Sequence, residues 1–207
     1  MTDMRAFRDA VDSWANGGPG DAARALAVQL GVRTAVLLEG PSDLAAVEAL
    51  AARRGRDLAA EGVCVVPMGG AMSVGRYAGL LGPPGLGLRL TGLCDEGEQR
   101  FYARGLKRAG APHGGFFVCV RDLEDELIRA LGTARVEEIV RAEDDLRAWQ
   151  TFLRQPAQHG RARHQQLRRF LGTKKGRKIR YGRLLVDALD LGLEQVPTPL
   201  DDLLTSL

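Results

Sequence analysis

The chain has 207 residues and a formal net charge of +3, and 45% of its residues are hydrophobic while 27% are charged. This composition allows a buried core and excludes intrinsic disorder, and no apolar run approaches the ~20 residues that a membrane helix needs. The amino-terminal stretch carries acids and lacks a continuous apolar segment, so no signal peptide is predicted. We therefore expect a soluble, cytoplasmic protein that has one domain with an appendage, or two small domains.

The three cysteines give no sign of a metal or redox site. Cys64, Cys94 and Cys119 each lie among aliphatic residues, without CxxC spacing or paired histidines. Such cysteines are typical of a reduced core. A zinc site is not expected.

Two helices are predicted before the first strand, over Met4 to Ala15 and Asp21 to Leu30, separated by a glycine-rich helix breaker. Four short apolar stretches with helical patterns between them follow, and this alternation predicts an α/β fold with a Rossmann-like four-stranded parallel sheet flanked by helices. The predicted strands are Ala35–Leu38, Val63–Met68, Leu88–Cys94 and Phe116–Val120.

Acidic residues follow three of these strands. Because the carboxyl ends of parallel strands share one edge of the sheet, we expect the acids to converge there. Several crowded carboxylates cannot all stay ionised without a counterion, and Mg²⁺ or Mn²⁺, as one or two ions, is the common solution. Two ions roughly 3.5–4 Å apart would clamp a phosphodiester. The candidate metal ligands are Glu39, Asp43, Asp95, Glu98, Asp122 and Glu124.

The simpler interpretation of Glu39 and Asp43 is turn and cap chemistry, since acids favour a helix N-terminus without binding anything. The pair Gly69-Gly70 after the second strand is likewise either a plain turn or a point of close approach to a phosphate. No GxxxxGK[ST] motif occurs, so the chain shows no P-loop of its own.

The last third of the chain is predicted to be helical. A charged helix is expected over Thr133 to Leu153, and two basic amphipathic helices over Arg161 to Leu171 and Arg177 to Leu191. A short tail helix is expected over Asp201 to Leu207, after Pro197 and Pro199.

A basic block runs from Arg154 to Arg183 and contains eleven Lys or Arg and no Asp or Glu. The remainder of the chain therefore has a net charge of about −8. The block is either a solvated surface, a set of helices laid against the acidic part, or a contact surface for a phosphate backbone, and its single sign favours the last. One of Lys174, Lys175 and Lys178 could also reach the acidic edge and neutralise charge on a phosphate. The candidate nucleic-acid-binding residues are Arg168, Arg169, Lys174, Lys175, Arg177 and Arg180.

Three motifs in this order resemble a Toprim domain, and more closely the Toprim domain of the overcoming-lysogenization-defect (OLD) nucleases. They are EGPSD after the first strand, LCDEGE at the third and DLEDEL after the fourth. The resemblance covers about Thr34 to Leu131, with a looser match at Lys178 in GRKIRYGRLLVDALD.

The resemblance implies a Toprim-like sheet and divalent-metal phosphodiester chemistry. It divides the chain into N-terminal helices (1–32), a Toprim-like catalytic domain (33–132) and a basic helical C-terminal region packed on it (133–207). Glu39 matches the first, catalytic acid of the family and Lys178 the lysine that assists the transition state. The remaining matches are Asp43 in the following turn, Asp95 in the DxD motif, and Glu124 with Asp122 in the later acidic motif.

Two departures from the family pattern leave alternatives open. The second DxD acid is replaced by Gly97, so Glu98 or Glu96 would have to substitute at a second metal. The ATPase domain that precedes Toprim in those nucleases is also not found, so a partner supplies it or the protein works without one.

The leading hypothesis is a stand-alone Mg²⁺-dependent endonuclease that acts on nucleic acid, with DNA as the expected partner and no membrane partner. The alternatives are a degenerate Toprim module that binds nucleic acid without cutting, and a nucleotidyl transferase of primase type. The sequence leaves the oligomeric state open, a homodimer included.

Overall fold

The centre of the protein is a four-stranded parallel sheet with the order β2-β1-β3-β4. A computed structural model of the protein describes residues 4–111, 115–193 and 195–207, without the side chains of residues 175 and 193. The strands are β1 (Thr34–Leu38), β2 (Val63–Pro67), β3 (Arg89–Asp95) and β4 (Phe116–Cys119). The predicted α/β class and the parallel strand direction are confirmed. All four strands therefore end at the same edge of the sheet, which we call the carboxyl edge.

Helices cover both faces of the sheet, and this explains why β1 has no exposed residue. Successive side chains of β1 point to opposite faces. Ala35 and Leu37 join one core cluster, while Val36 and Leu38 join the other.

In the described part of the chain, the first face carries four helices: α1 (Met4–Ala15), α2 (Asp21–Gln29), α4 (Val74–Leu81) and α5 (Gln99–Arg108). Helices α4 and α5 cross closely at two glycines, because a Cβ atom added to Gly105 would lie 2.8 Å from the amide nitrogen of Gly75. A side chain at either position would push the two helices apart.

The second face carries α3 and the helices of the C-terminal half. They are α3 (Pro41–Arg53), α6 (Leu123–Leu131), α7 (Thr133–Ala142), α8 (Leu146–Leu153), α9 (Arg163–Leu171), α10 (Lys175–Asp187) and α11 (Thr198–Ser206). Their apolar residues, such as Trp149, Phe170, Tyr181 and Leu203, form one cluster with the sheet residues of that face. Within the described ranges, no helix has the length and apolar character required to cross a bilayer.

The single helix predicted over Thr133 to Leu153 is wrong, because α7 ends at Ala142 and α8 begins at Leu146. Asp144 adopts a left-handed backbone with φ of 58° between them, a conformation that Asp tolerates better than most residues. The next carboxylate, Asp145, accepts a hydrogen bond of 2.9 Å from Nη2 of Arg177. This pairing with α10 provides a physical reason for the break that local sequence does not contain.

Helix boundaries in the basic block also differ from the prediction. Helix α10 begins at Lys175 instead of Arg177 and ends at Asp187 instead of Leu191. The tail helix α11 begins three residues earlier than predicted, because Thr198 and Pro199 form its first turn.

Helix α10 lies directly on the first turn of α3. A Cβ atom added to Gly182 would lie 2.4 Å from the carbonyl oxygen of Ser42, so only glycine permits this approach. Lys178 lies one turn before Gly182, which brings its side chain towards the carboxyl edge.

Candidate metal centre and nucleic-acid surface

The turn after β1 presents two acids. Gly40 is the N-cap of α3, and its N–H donates a hydrogen bond of 2.9 Å to Oδ2 of Asp43. The cap interpretation of Asp43 thus holds for one of its oxygens. Glu39 differs, because its Oε1 is buried and has no hydrogen-bond partner among the described residues.

Burial and the neighbouring charge of Glu98 raise the pKa of Glu39 above its ordinary value. A buried carboxylate oxygen without a donor is costly unless a proton, a water molecule or a cation meets it. Glu39 therefore has the properties expected of a residue that binds a cation.

Asp95 ends β3 in the middle of the same edge. Burial, followed by the charges of Glu39 and Asp122, raises the pKa of Asp95 to about 8. Burial and the charge of Glu124 likewise raise the pKa of Asp43 to about 7. The charge of Glu39 contributes to both shifts and the charge of Asp43 contributes to that of Asp95, which requires these carboxylates to lie close together.

Glu98 and Glu96 occupy different positions after β3. Glu98 is half-buried and close enough to raise the pKa of Glu39, whereas Glu96 is exposed. Of the two residues that could replace the missing second acid at Gly97, Glu98 is therefore the better placed.

The acids after β4 are held by cations from the C-terminal helices. Asp122 caps α6 by accepting a 2.8 Å hydrogen bond from the N–H of Asp125, and its other oxygen accepts one of 2.6 Å from Nε of Arg168. Nζ of Lys178 lies 3.1 Å from Oε1 of Glu124, whose side chain is buried. The structure thus shows Arg168, which was predicted to contact nucleic acid, bound to Asp122.

Among the three candidate lysines, the described side chains single out Lys178. Burial opposes its ammonium form, but the charges of Glu124 and Asp43 outweigh burial and raise the pKa of Lys178. Lys174 is exposed, and the side chain of Lys175 lies outside the described residues.

A divalent cation fits the chemistry of this edge, because its donors are carboxylate oxygens and one of them, Oε1 of Glu39, lacks a partner in the described part of the chain. As the side chains stand, however, no three Asp, Glu, His or Cys residues in the described ranges are arranged to hold an ion. Part of the reason is visible, since Lys178 and Arg168 already hold Glu124 and Asp122. A full ligand set would require side-chain rearrangement at the end of β4.

The predicted nucleic-acid-binding residues separate into two groups. Arg177 is only 8% exposed, binds Asp145 and lies 4.0 Å from the centroid of the Phe170 ring, so its role is structural. Arg180 is exposed but also pairs with Asp145. Arg169 and Lys174 are exposed and have no acidic partner among the described residues.

Lys174 lines a pocket of about 500 Å³ together with a cation from outside the basic block. This residue is Arg147, which is exposed, and the rings of Phe152 and Phe170 also line the pocket. Sequence patterns did not single out Arg147 because three acids, at positions 143–145, precede it, and only the packing of α8 against α9 brings it to the basic surface.

A parallel sheet of four strands, flanked by helices and carrying acids from three strand ends at one edge, defines the Toprim class of fold. Residues 32–96 match the family model described as overcoming lysogenization defect protein-like, TOPRIM domain. The resemblance predicted from the motifs is confirmed for this segment. Asp122, Glu124 and Lys178 lie beyond the matched segment.

Solved structures agree on the fold. The C-terminal region of the Burkholderia pseudomallei OLD protein aligns with a TM-score of 0.60 at 19% identity, covering 84% of this chain and 96% of that one. The C-terminal region of the Xanthomonas campestris pv. campestris OLD protein aligns with TM-scores of 0.62 and 0.63 in two structures at 24% identity, covering 84% of this chain and 93% and 91% of those chains. No curated protein sequence matches significantly.

Proposed function

We propose that this protein is a divalent-metal-dependent phosphodiesterase that nicks or cleaves nucleic acid, with DNA as its expected substrate. The observation that carries this proposal is the cluster of mutually destabilised carboxylates around Glu39, which Lys178 faces from α10. Burial and neighbouring negative charges raise the pKa values of Glu39, Asp43 and Asp95, and a bound cation would offset both effects.

A bound Mg²⁺ or Mn²⁺ would supply Lewis-acid chemistry and activate water at this edge. Glu39, Asp43 and Asp95 are the residues best placed to hold one ion, and Glu98, Asp122 and Glu124 are the candidates for a second.

The protein's own groups then have separate tasks. The carboxylate of Glu39 accepts a proton or hydrogen bond from the attacking water. The ammonium group of Lys178, kept protonated by its acidic neighbours, neutralises charge that develops on the phosphoryl oxygens. Asp43 also fixes the turn that places Glu39, through its bond to Gly40.

One alternative has specific support. A Toprim module that binds nucleic acid without cutting is consistent with Gly97 in place of the second DxD acid and with the Lys178–Glu124 ion pair, which occupies a candidate ligand. Cleavage assays separate this alternative from the nuclease.

The first experiment is cleavage of supercoiled plasmid in Mg²⁺, Mn²⁺ or EDTA, with wild type beside Glu39→Gln. The substitution removes charge at nearly constant volume, so the fold should persist while metal-dependent nicking is lost. Glu138→Gln is the matched control, because Glu138 is an exposed residue of α7 that pairs only with Arg135 in the described structure. Nicking by Glu39→Gln at the wild-type rate would refute the metal assignment, and template-dependent nucleotide incorporation would favour the primase-type reaction.

The second experiment tests the basic surface. Arg169→Gln combined with Lys174→Gln should weaken DNA binding and lower the slope of log K against log salt by about 1–2, since each phosphate contact contributes roughly 0.7–0.9. An unchanged slope would show that the basic block is a solvated surface and does not contact the phosphate backbone.

A further inference from the structure

Helix α5 forms a second basic surface, on the face of the sheet opposite to the basic block. Its sequence, QRFYARGLKR, contains four cations and no acid. Arg100, Arg104, Lys107 and Arg108 are all exposed. None of them forms an ion pair with any residue in the described ranges, although most exposed helix faces mix both signs. This surface is therefore complementary to a polyanion.

A groove of about 470 Å³ runs between α4 and α5, beside the close contact of Gly75 with Gly105. Met72 and Phe101 line it and are 76% and 37% exposed, which is unusual for large apolar side chains. Arg104 and Arg108 line the same groove. An open aromatic ring beside a row of cations is the arrangement that proteins use to bind single strands, because any base can stack on the ring while the cations follow the backbone.

The groove begins at the carboxyl edge. Asp95 ends β3, the turn Glu96–Glu98 follows, and Phe101 lies in the first turn of the next helix. Met72 lies in the 3-10 turn that follows β2, so both apolar side chains flank the same edge.

The length of α5 suits a short stretch of nucleic acid. At 1.5 Å per residue, Arg104 and Arg108 lie about 9 Å and about 15 Å along the axis from Glu98. At the ~3.4 Å per nucleotide of a fully base-stacked strand, these distances correspond to about three and about four nucleotides, and an extended strand would place fewer nucleotides there.

We propose that the groove between α4 and α5 binds a single strand of nucleic acid and leads it to the carboxyl edge. Bases stack on Phe101 and contact Met72, while phosphates pair with Arg104 and Arg108. Binding in the groove stands by itself; delivery to the acids rests on the proposed nuclease function. The substrate class that this groove favours is nucleic acid with a single-stranded segment.

The test measures fluorescence anisotropy of an oligothymidine of about 15 nucleotides, and of a duplex of the same length, in EDTA. Phe101→Ala should weaken single-strand binding about tenfold, within the range of one lost stacked base, and change duplex binding by less than about twofold. Phe101→Trp should retain single-strand binding, because the larger ring still stacks. Arg104→Gln with Arg108→Gln should lower the salt slope for the single strand by about 1–2.

The matched control is Arg33→Gln with Arg89→Gln, which removes the same charge at the opposite edge, where β1 and β3 begin. These arginines bind main-chain oxygens of Glu61 and Ser206. The control should leave the salt slope unchanged.

Three results would overturn the proposal: unchanged single-strand affinity in Phe101→Ala, equal losses for single strand and duplex, or competition by polyglutamate at the same charge concentration as the oligonucleotide. Because EDTA prevents cleavage, these results are independent of the nuclease. If the wild type binds the single strand through Phe101 but does not nick DNA, the nuclease proposal is refuted and the proposal of single-strand binding in the groove still holds.

Discussion

Nζ of Lys178, on α10, lies 3.1 Å from Oε1 of Glu124, on the first turn of α6. This ion pair connects the C-terminal helices to the acids at the carboxyl edge. It places Lys178 where a phosphoryl group would pass, and at the same time gives Glu124 a counterion when no metal is present.

The first prediction concerns Lys178. Lys178→Met should lower the cleavage rate at saturating DNA by about 100-fold, because transition-state charge loses its partner, while the Kd for DNA changes by less than about threefold. Lys174→Met, on the exposed surface, should show the reverse, with weaker binding and an unchanged rate at saturation. Single-turnover rates and Kd values measured for both variants provide the check. Equal effects of the two variants would remove Lys178 from the reaction.

The second prediction separates the two glutamates after β3. Glu98→Gln should lower metal-dependent cleavage by about tenfold or more, because Glu98 is close to Glu39, whereas Glu96→Gln should stay within about twofold of wild type. Cleavage measured across a Mg²⁺ titration provides the check. A larger loss for Glu96→Gln would mean that the exposed residue completes the acidic motif.

The third prediction compares the thermal stability of wild type and Asp95→Asn without and with Mg²⁺. Without metal, Asp95→Asn should melt about 2–4 °C above wild type at about pH 9, because the substitution removes a charge that burial and the charges of Glu39 and Asp122 destabilise. With saturating Mg²⁺, wild type should gain more than the variant. Thermal melts with EDTA and with Mg²⁺ measure both effects. Equal gains from Mg²⁺ would place the ion elsewhere.

The fourth prediction uses Asp145. Its hydrogen bond from Arg177 lowers the pKa of the Asp145 carboxyl below the ordinary value. The stabilisation is therefore complete above the unfolded-state pKa of about 3.9 and is lost as the pH falls through the lower folded-state pKa.

Asp145→Asn should consequently cost about 2–4 kcal/mol at neutral pH, where it leaves Arg177 buried without its carboxylate. The two proteins should converge as the pH falls from neutral through the lowered folded-state pKa. Urea unfolding across this range measures the difference. A penalty that is independent of pH would show that packing, and not the ion pair, holds α7 and α8 against α10.

The sheet and the location of the acids could be predicted from sequence because parallel strands place distant residues at one edge. Glu39 and Asp95 are more than fifty positions apart, yet strand direction places both at the same edge, and the pairing of β1 with β3 makes their strands neighbours. The pairing of cations could not be predicted, because Arg177 and Arg169 belong to the same basic run and only tertiary packing buries one and exposes the other. The uniform sign of α5 is visible in its sequence, but its exposure and the open ring of Phe101 are properties of the fold.

The contact between Gly182 and Ser42 determines which part of this chain could be transferred to another protein as a folded unit. The family match ends near the third strand, and the predicted catalytic region ends at residue 132, yet the turn that carries Glu39 is covered by a helix that begins more than forty residues later. A shortened version that stopped after α6 would lose Lys178 and leave the apolar side of α3 facing water. The unit that recombination or an engineer could move between proteins is therefore the sheet together with its C-terminal helices.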